Sequence, residues 1–557
     1  GVSRKHLVKY KRRLIKGETL VMVQASARHV EQVLALLDKT TDTSAITSVI
    51  HQQSEFEISP PLRSELLPAE RLHARAARLA AETRTAKAGR EKKLLHRLRE
   101  NTRILKNIHH DLSDAARLRE GFPLSSEWLL DNAYVIQGQI DDVRRNLSRR
   151  FYSELPVIVN GRHARVPRVY RLAAELIENT GGSVKRTDIV GFLQAFQRVS
   201  ALTIGELWAQ PLMLRLALVE RLRFLVIAVD RRQREAEHAD FWAIRLLTAA
   251  RRDSDSVLPL LADLANEFPA PSPNFADELL ARLVDEQTVL GSVRGWLERK
   301  LDVPLSEAVQ EEQRRQTEDQ VQLGNAITAL RQLSQLDWRE VFEAVSCVDA
   351  VLAADPTYPR MDFETRDRYR HAVEQIARRA GAAELEVARV ACDLAAASDN
   401  ELTRHVGFYL IDGGRERLEA CMRCKPSFAQ RARRYSARRP ARIYAGGIAT
   451  VTLALSAGVV AIAAGAGANA AALTLLGALT LLPASELAVQ LVNLVIMRLI
   501  KPRMLPKMSF ESGIPPDFST LVVVPMMLLT PESVQTQIER LEIRYLGNSD
   551  RNLRYAL

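Results

Sequence analysis

Ile443-Tyr-Ala-Gly-Gly-Ile-Ala-Thr-Val-Thr-Leu-Ala-Leu-Ser-Ala-Gly-Val-Val-Ala-Ile-Ala-Ala464 opens a run of 43 residues, extending to Ser485, that holds no Asp, Glu, Lys, Arg or His. A single bilayer crossing needs about 20 consecutive apolar residues, so the run predicts two. The small, flexible Gly465-Ala-Gly-Ala-Asn469 supplies the break, between spans at about 443–464 and 470–497. Helices of a soluble core seldom run this long without a charge, and a two-helix transmembrane hairpin is the expected structure. Basic runs flank it: six Arg and no acid within 431–442, then Arg498, Lys501, Arg503 and Lys507. Lys and Arg concentrate on the cytoplasmic side of membrane spans, which predicts both outer ends in the cytoplasm and the Gly/Asn turn outside. The second span carries Pro483, Glu486 and Asn493. An ionisable side chain at such depth costs about 3 kcal/mol or more unless it is paired or wetted. Glu486, with Asn493, is therefore a candidate polar site in the membrane. It either faces a polar conduit, bonds to a neighbouring helix or snorkels to the cytoplasmic interface. Pro483 removes a backbone bond one turn earlier.

The 557 residues carry a formal net charge of +11, with a pI near 9.6. The distribution of that charge excludes nucleic acid as a partner. The two flanking runs and a third, seven Lys or Arg within 4–16, hold 17 basic residues and leave −6 on the rest. Neutralising phosphates requires basic residues spread over a binding face. Four cysteines, Cys347, Cys392, Cys421 and Cys424, are too sparse for a disulfide framework and suit a reducing compartment. Cys421-Met-Arg-Cys424 has no second pair to complete a zinc site and reads as two ordinary thiols.

Such a length predicts two to four structural units. Apolar residues make up 47% and aromatics only 6%, with Leu, Ala, Arg and Glu prominent, a mixture that favours helices. Leu94, Leu98, Ile104, Leu105, Ile108 and Leu112 recur at helical spacing. Gly121-Phe-Pro-Leu-Ser-Ser126 breaks that pattern, and Ser125 or Ser126 is expected to cap the next helix. Residues 169–227 read as helix again, interrupted at Thr180-Gly-Gly-Ser183, and Trp208 is expected to be packing surface. Farther on, Asp337 is a candidate helix N-cap, Asp355-Pro-Thr-Tyr-Pro359 a turn, and Asp362 or Thr365 the next cap. Asp362 and Glu364 stand two residues apart and so face different sides of a helix. With Arg366, Arg368 and Arg370 beside them, capping and ion pairing are expected rather than acid–base chemistry. No nucleotide-binding, serine-hydrolase or zinc-protease motif occurs, and adjacent His109 and His110 point apart on a helix. No catalytic and no metal-ligating residue is assigned.

The last fifty residues change character. An irregular segment, Lys501-Pro-Arg-Met-Leu-Pro506 and Ser512-Gly-Ile-Pro-Pro516, precedes Thr520-Leu-Val-Val-Val-Pro525, which reads as a buried parallel strand. Thr530-Pro-Glu-Ser533 starts a helix with Val534, Ile538, Leu541 and Tyr545 on one stripe, and Asn552-Leu-Arg-Tyr-Ala-Leu557 is a second strand. Strand, helix, strand is the opening of an α/β nucleotide-binding domain, whose ligands sit at the carboxyl ends of the strands. Pro525 and Met526 would line that edge as nucleotide-sugar-binding residues. The opening Gly1, with no signal-peptide pattern behind it, and the unpartnered last strand lead us to expect a piece of a longer protein.

Several collinear blocks resemble cyclic β-1,2-glucan synthases. They include Gly89-Arg-Glu-Lys-Lys-Leu-Leu-His96, Glu127-Trp-Leu-Leu-Asp-Asn132, Phe151-Tyr-Ser-Glu-Leu-Pro156, Pro167-Arg-Val-Tyr170 and Leu202-Thr-Ile-Gly-Glu-Leu-Trp208. The most specific is Met361-Asp-Phe-Glu-Thr-Arg-Asp-Arg-Tyr-Arg370, followed by His405-Val-Gly-Phe-Tyr-Leu410, Pro483-Ala-Ser-Glu486, Gly513-Ile-Pro515 and Val522-Val-Val-Pro525. The turn before Met361 is shorter than the family's usual spacer. The resemblance implies a mainly α chain: a basic segment 1–64, a helical cytoplasmic domain 65–430, the hairpin with its flanks 431–507, and at 508–557 the truncated first β-α-β unit of a GT-A-like glycosyltransferase domain. It further implies a bacterial inner-membrane enzyme that extends β-1,2-glucan from UDP-glucose. A divalent metal, Mg or Mn, and the catalytic carboxylates are expected downstream, with glucoamylase-like and phosphorylase-like domains that trim and close the product. This portion alone is expected to be inactive. The alternative is a membrane-tethered helical scaffold that docks partners without catalysis; a transporter is disfavoured, because two spans do not make a pair of repeats.

Overall fold

Leu, Ala, Arg and Glu at helical spacing do build helices: the described residues form α-helices and only four short strands. The computed structural model describes residues 66–86, 93–116, 124–160, 164–252, 257–301, 303–424, 439–499, 505–510, 513–527 and 530–556. The basic segment 1–64, Gly89 to Glu91, most of the Arg431–Arg442 run, Lys501 and Arg503 lie outside them. The described residues gather into two compact units, one up to Val345 and one from Ser346.

The first unit opens with α1 (Ala69–Glu82), β1 (Thr85–Ala86) and α2 (Lys93–Ala116). The apolar positions of α2 behave as expected, with Leu94, Leu98, Leu105, Ile108 and Leu112 buried. Next come α3 (Leu124–Asp131), α4 (Ala133–Asn146), α5 (Arg149–Glu154) and β2 (Val157–Ile158), which pairs antiparallel with β1. Ser125 and Ser126 lie inside α3 rather than before it, residues 117–123 of the expected break lie outside the described residues, and a further break falls at Asn132, between α3 and α4. Helices α6 (Arg168–Asn179) and α7 (Arg186–Gln197) are separated at Gly181 and Gly182, whose φ values of 59° and 82° are left-handed.

The spine of the unit is α8 (Ile204–Arg252), 49 residues long and about 70 Å at 1.5 Å per residue. It outruns the expected end near 227 because its distal half has its own core. There Trp242 and Leu246 pack with residues of α9 (Val257–Glu267), α10 (Pro273–Arg282) and α11 (Gln287–Lys300). The unit closes with α12 (Leu305–Gln335) and α13 (Trp338–Val345). Asp337 accepts from the Arg339 N–H at 2.8 Å at the start of α13. Trp208 stacks on Phe342 with ring centroids 4.7 Å apart, as packing surface.

Helix α8 starts on a reciprocal cap: Thr203 Oγ1 accepts from the Glu206 N–H at 3.2 Å, and Glu206 Oε2 accepts from the Thr203 N–H at 3.0 Å. Glu206 is fully buried and takes a bidentate pair from Arg168 of α6, at 2.9 and 2.6 Å. Tyr170, two residues on, donates to Glu220 of α8, which also pairs with Arg97 of α2.

In the second unit α14 (Cys347–Leu352) leads through a 3₁₀ turn at Tyr358–Arg360 to α15 (Phe363–Ala380), α16 (Glu384–Ala396), α17 (Val406–Ile411) and α18 (Arg415–Cys421). Then follow α19 (Pro440–Gly465) and α20 (Ala470–Leu499), antiparallel neighbours joined at Gly467 (φ 86°), with Asn469 Oδ1 accepting from the Ala472 N–H at 2.9 Å. Both are long and apolar enough to cross a membrane, and only 6% and 11% of their most apolar windows are buried. A core helix would be mostly covered. The two touch along small residues, with Ala484 and Ala488 buried at the seam and Gly477 leaving room for Val460.

Last come β3 (Thr520–Val523), α21 (Pro531–Gly547) and β4 (Leu553–Ala556). The strands pair in parallel, Thr520 against Leu553 through Val523 against Ala556. Thr530 and Ser533 form the cap of α21. The order is as read from the sequence, but the burial is not: Leu521 and Val523 are 58% and 57% exposed, and α21 buries none of its stripe. A parallel sheet needs a layer on each face, and among the described residues no second layer covers this pair.

Removing Glu206 leaves Arg168 buried without its bidentate partner, which costs about 3–5 kcal/mol. Glu206→Ala should therefore lower the thermal midpoint of the detergent-solubilised chain by several degrees, whereas exposed Glu340→Ala should leave it within about a degree.

Candidate functional site: the clasp on the segment after the hairpin

The block Met361 to Arg370 begins where the 3₁₀ turn ends. Asp362 caps α15, its Oδ1 accepting from the Thr365 N–H at 2.9 Å, and Gly381 in the left-handed region closes the helix. Glu364 points to solvent, so the two carboxylates do part, as their spacing predicts. The cap also holds a distant piece of chain. Asp362 N–H donates to the Lys507 carbonyl at 3.0 Å, Ser509 N–H to the Arg360 carbonyl at 2.8 Å, and Lys507 N–H to Thr365 Oγ1 at 3.0 Å. Met361 and Met508 form an antiparallel bridge. The Arg360 guanidinium lies over the Phe518 ring at 5.2 Å.

The far end of the same segment is tied to the strand pair. Asp550 Oδ2 accepts from the Ile514 N–H at 2.8 Å, its Oδ1 from the Asn552 N–H at 2.8 Å, and Asn552 Nδ2 donates to the Ile514 carbonyl at 2.6 Å. Those two backbone donors hold the Asp550 carboxyl below its usual value. Gly513, at φ 101°, brings the chain against Asp550.

Beneath the clasp lie two polar networks that the sequence reading did not single out. Asp349 of α14 accepts from Arg370 Nη1 at 2.8 Å and from the Tyr358 hydroxyl, with Arg366 at 3.8 Å; Arg370 is completely buried over the Phe363 ring. Burial and the Asp349 charge push the Tyr358 hydroxyl up. In the second, Asp355 Oδ2 accepts from His405 Nδ1 at 2.8 Å and the Val406 N–H at 2.6 Å, while His405 Nε2 meets the Tyr369 hydroxyl at 2.9 Å. Burial would raise the Asp355 carboxyl, but the hydrogen bonds from His405, Val406 and Thr357 outweigh it and hold it below the ordinary value. Tyr369 is pushed up to about 12, chiefly by burial. A Cβ on Gly407 would collide with the Tyr369 hydroxyl and His405 Nε2, so only glycine admits the chain there. Arg370 and His405 stand inside the quoted blocks, a signal that could have been followed.

Pro525 and Met526 follow the carboxyl end of β3, Pro525 exposed and Met526 half-buried. Asn493 accepts from the Tyr444 hydroxyl at 3.0 Å across the hairpin, whereas Glu486 faces outward from α20, so the two are not brought together. The four cysteines are free, and burial pushes the Cys424 thiol up and that of Cys392 up to about 11, opposite to an activated thiolate. Among the described residues no group of three or more His, Cys, Asp or Glu could hold a metal ion.

These features define a mainly helical protein with a pair of membrane-length helices and a parallel strand–helix–strand clasped directly behind them. The chain is similar to cyclic beta-(1,2)-glucan synthase NdvB of Rhizobium meliloti (strain 1021), at 32% identity over 472 residues, which is 83% of this chain and 16% of that protein. The similarity supports the relationship that the motif blocks suggest, while the chain spans about a sixth of that relative's length. No protein-family model matches the chain.

Thr365→Val keeps the shape of the clasp and removes the acceptor of the Lys507 N–H, a bond worth about 1 kcal/mol. Amide exchange at Lys507 should accelerate about fivefold, and Thr365→Ser should restore it. The lowered Asp355 carboxyl contributes stability that is complete above its unfolded value of about 3.9 and lost as pH falls through the still lower folded value. Asp355→Asn should accordingly flatten the loss of thermal stability that the parent chain shows on acidification below about pH 4.

Proposed function

We propose that this chain is the membrane-anchoring and helical N-terminal portion of a cyclic β-1,2-glucan synthase, an inner-membrane hexosyltransferase that polymerises glucose from UDP-glucose and closes the product into a ring. The observation that carries the reading is a similarity to one such synthase that extends over 83% of the chain. The parallel strand–helix–strand after the hairpin suits the opening of a sugar-nucleotide-binding domain, with Pro525 and Met526 at the edge where such ligands sit. UDP-glucose and the growing glucan are then substrates of the whole polypeptide, with glucoamylase-like and phosphorylase-like domains beyond.

Transfer from UDP-glucose requires a carboxylate base for the acceptor hydroxyl, and a divalent metal, when bound, neutralises the leaving diphosphate. The described residues contain no fitting cluster for that metal, and no step is assigned to them. Their part is mechanical. The hairpin holds the protein in the bilayer with both ends cytoplasmic, and the clasp ties the segment after α20 to the cap of α15, so that β3 starts from a fixed place.

Incubated with labelled UDP-glucose, the 557-residue chain should form no glucan; turnover would refute the placement of the active site. Single cysteines at Ala466 or Ala468 should react with an impermeant thiol reagent from outside intact cells and those at 431–438 only after permeabilisation. Labelling of the two flanks from opposite sides would refute the anchor.

A further inference from the structure

From Glu486 to Asn493 helix α20 carries three polar residues, and the hairpin accounts for one of them. Asn493 is answered by Tyr444 at 3.0 Å. Glu486 and Gln490 are both exposed, and among the described residues neither has a hydrogen-bond or ion-pair partner. Their direction follows from helix geometry. Ala484 and Ala488 are buried at the seam with α19, and a residue two positions from each is turned by about 200° of helix, away from the seam. Glu486 and Gln490 are one turn apart and therefore share one outward row, continued by Leu479 and Leu482, which are 64% and 79% exposed.

Depth makes that arrangement costly. On the membrane reading given above, on which this inference rests, Glu486 stands about 18 Å of helix before Arg498 and about 25 Å after Asn469. That is near the middle of a hydrocarbon core about 30 Å thick. The long Lys and Arg side chains snorkel from such places; a glutamate is too short to reach the interface. A carboxyl and an amide side by side in an otherwise apolar row call for hydrogen-bond donors from outside the hairpin. A second copy of this span is a poor source, because a two-fold axis through the row would set Glu486 against Glu486.

We propose that the Glu486/Gln490 row of α20 is the seat of a different membrane-spanning helix that presents hydrogen-bond donors, as amide, hydroxyl or basic side chains, to these two residues. The seat is polar glue within the bilayer, specific because few helices carry donors at the matching depth.

The test uses the natural polypeptide in its own membrane, with a benzophenone amino acid at Leu482, one turn before Glu486, and as control at Leu453 of α19, 63% exposed. The probe at 482 should attach to a peptide from a helix outside 440–499 that bears a donor side chain within a turn of the attachment point. Its yield should fall about fivefold or more in Glu486→Leu/Gln490→Leu, whose apolar side chains favour insertion, and persist in Glu486→Gln. The control at 453 should not respond to either change. Lipid adducts alone at 482, attachment to residues 470–499 of a second copy, or a yield indifferent to Glu486→Leu/Gln490→Leu would each overturn the seat. Lipid adducts at 453 in those cases would show the hairpin still in the bilayer, whereas their absence at both positions would overturn seat and membrane reading together.

Discussion

Two neighbouring helices that bury none of their Leu, Val and Ile side chains and leave many of them exposed persist only where the surroundings are themselves apolar. Helices α19 and α20 do this, closing on each other through small residues, Thr452, Ser456, Ala484 and Ala488. In water the exposed apolar surface would cost about 25 cal/mol for every Å²; in a hydrocarbon surround the cost vanishes, and close packing of small residues is what remains to hold the pair. The basic residues at the outer ends, Arg439, Arg442 and Arg498 among them, are where such a surround would stop.

Outside the hairpin the opposite constraint governs: a charge may be buried only with its partner. Arg168 with Glu206, Arg97 with Glu220 and Arg370 with Asp349 each join separate helices at a point where apolar packing alone would allow sliding. The Arg168 pair shows how far one contact reaches. Its carboxylate also caps α8, so a single side chain sets both the start of the spine and its contact with α6. Such pairs contribute less net stability than their geometry suggests, but a helix shifted by one turn would leave every one of them unanswered.

What could be read from residues alone follows from range. The hairpin, the Asp362 and Thr530 caps, the glycine break after α6 and the strand–helix–strand order depend on neighbours within a few positions, and all stand where the spacing puts them. The Ser125/Ser126 cap failed because the helix already runs through both serines. Other features are set by partners far along the chain. Nothing local distinguishes Arg370, buried on Asp349, from its half-exposed neighbour Arg368. Thr365 was a candidate cap by type; that its hydroxyl instead accepts from Lys507, 142 positions away, is a fact of tertiary structure. The exposure of β3 and α21 has the same origin, since burial of a parallel strand depends on layers other than itself.

The clasp turns an irregular connection into a spacer of bounded length. Lys507 is eight residue steps beyond Leu499, the last of α20, and a chain reaches at most about 3.4 Å per step, so Lys507 at the cap of α15 stands within about 27 Å of the end of that helix. From Ser509 the chain runs to Gly513 and Ile514, where Asp550 and Asn552 seize it, and β3 begins six residues later. Each tie is made largely to backbone groups, so it depends on the path of the chain more than on the identity of the side chains along it. An irregular proline-rich segment has no ladder of its own to fix that path. It borrows one from the N-terminus of a helix on one side and from a strand end on the other, and β3 thereby starts within a bounded reach of the end of α20.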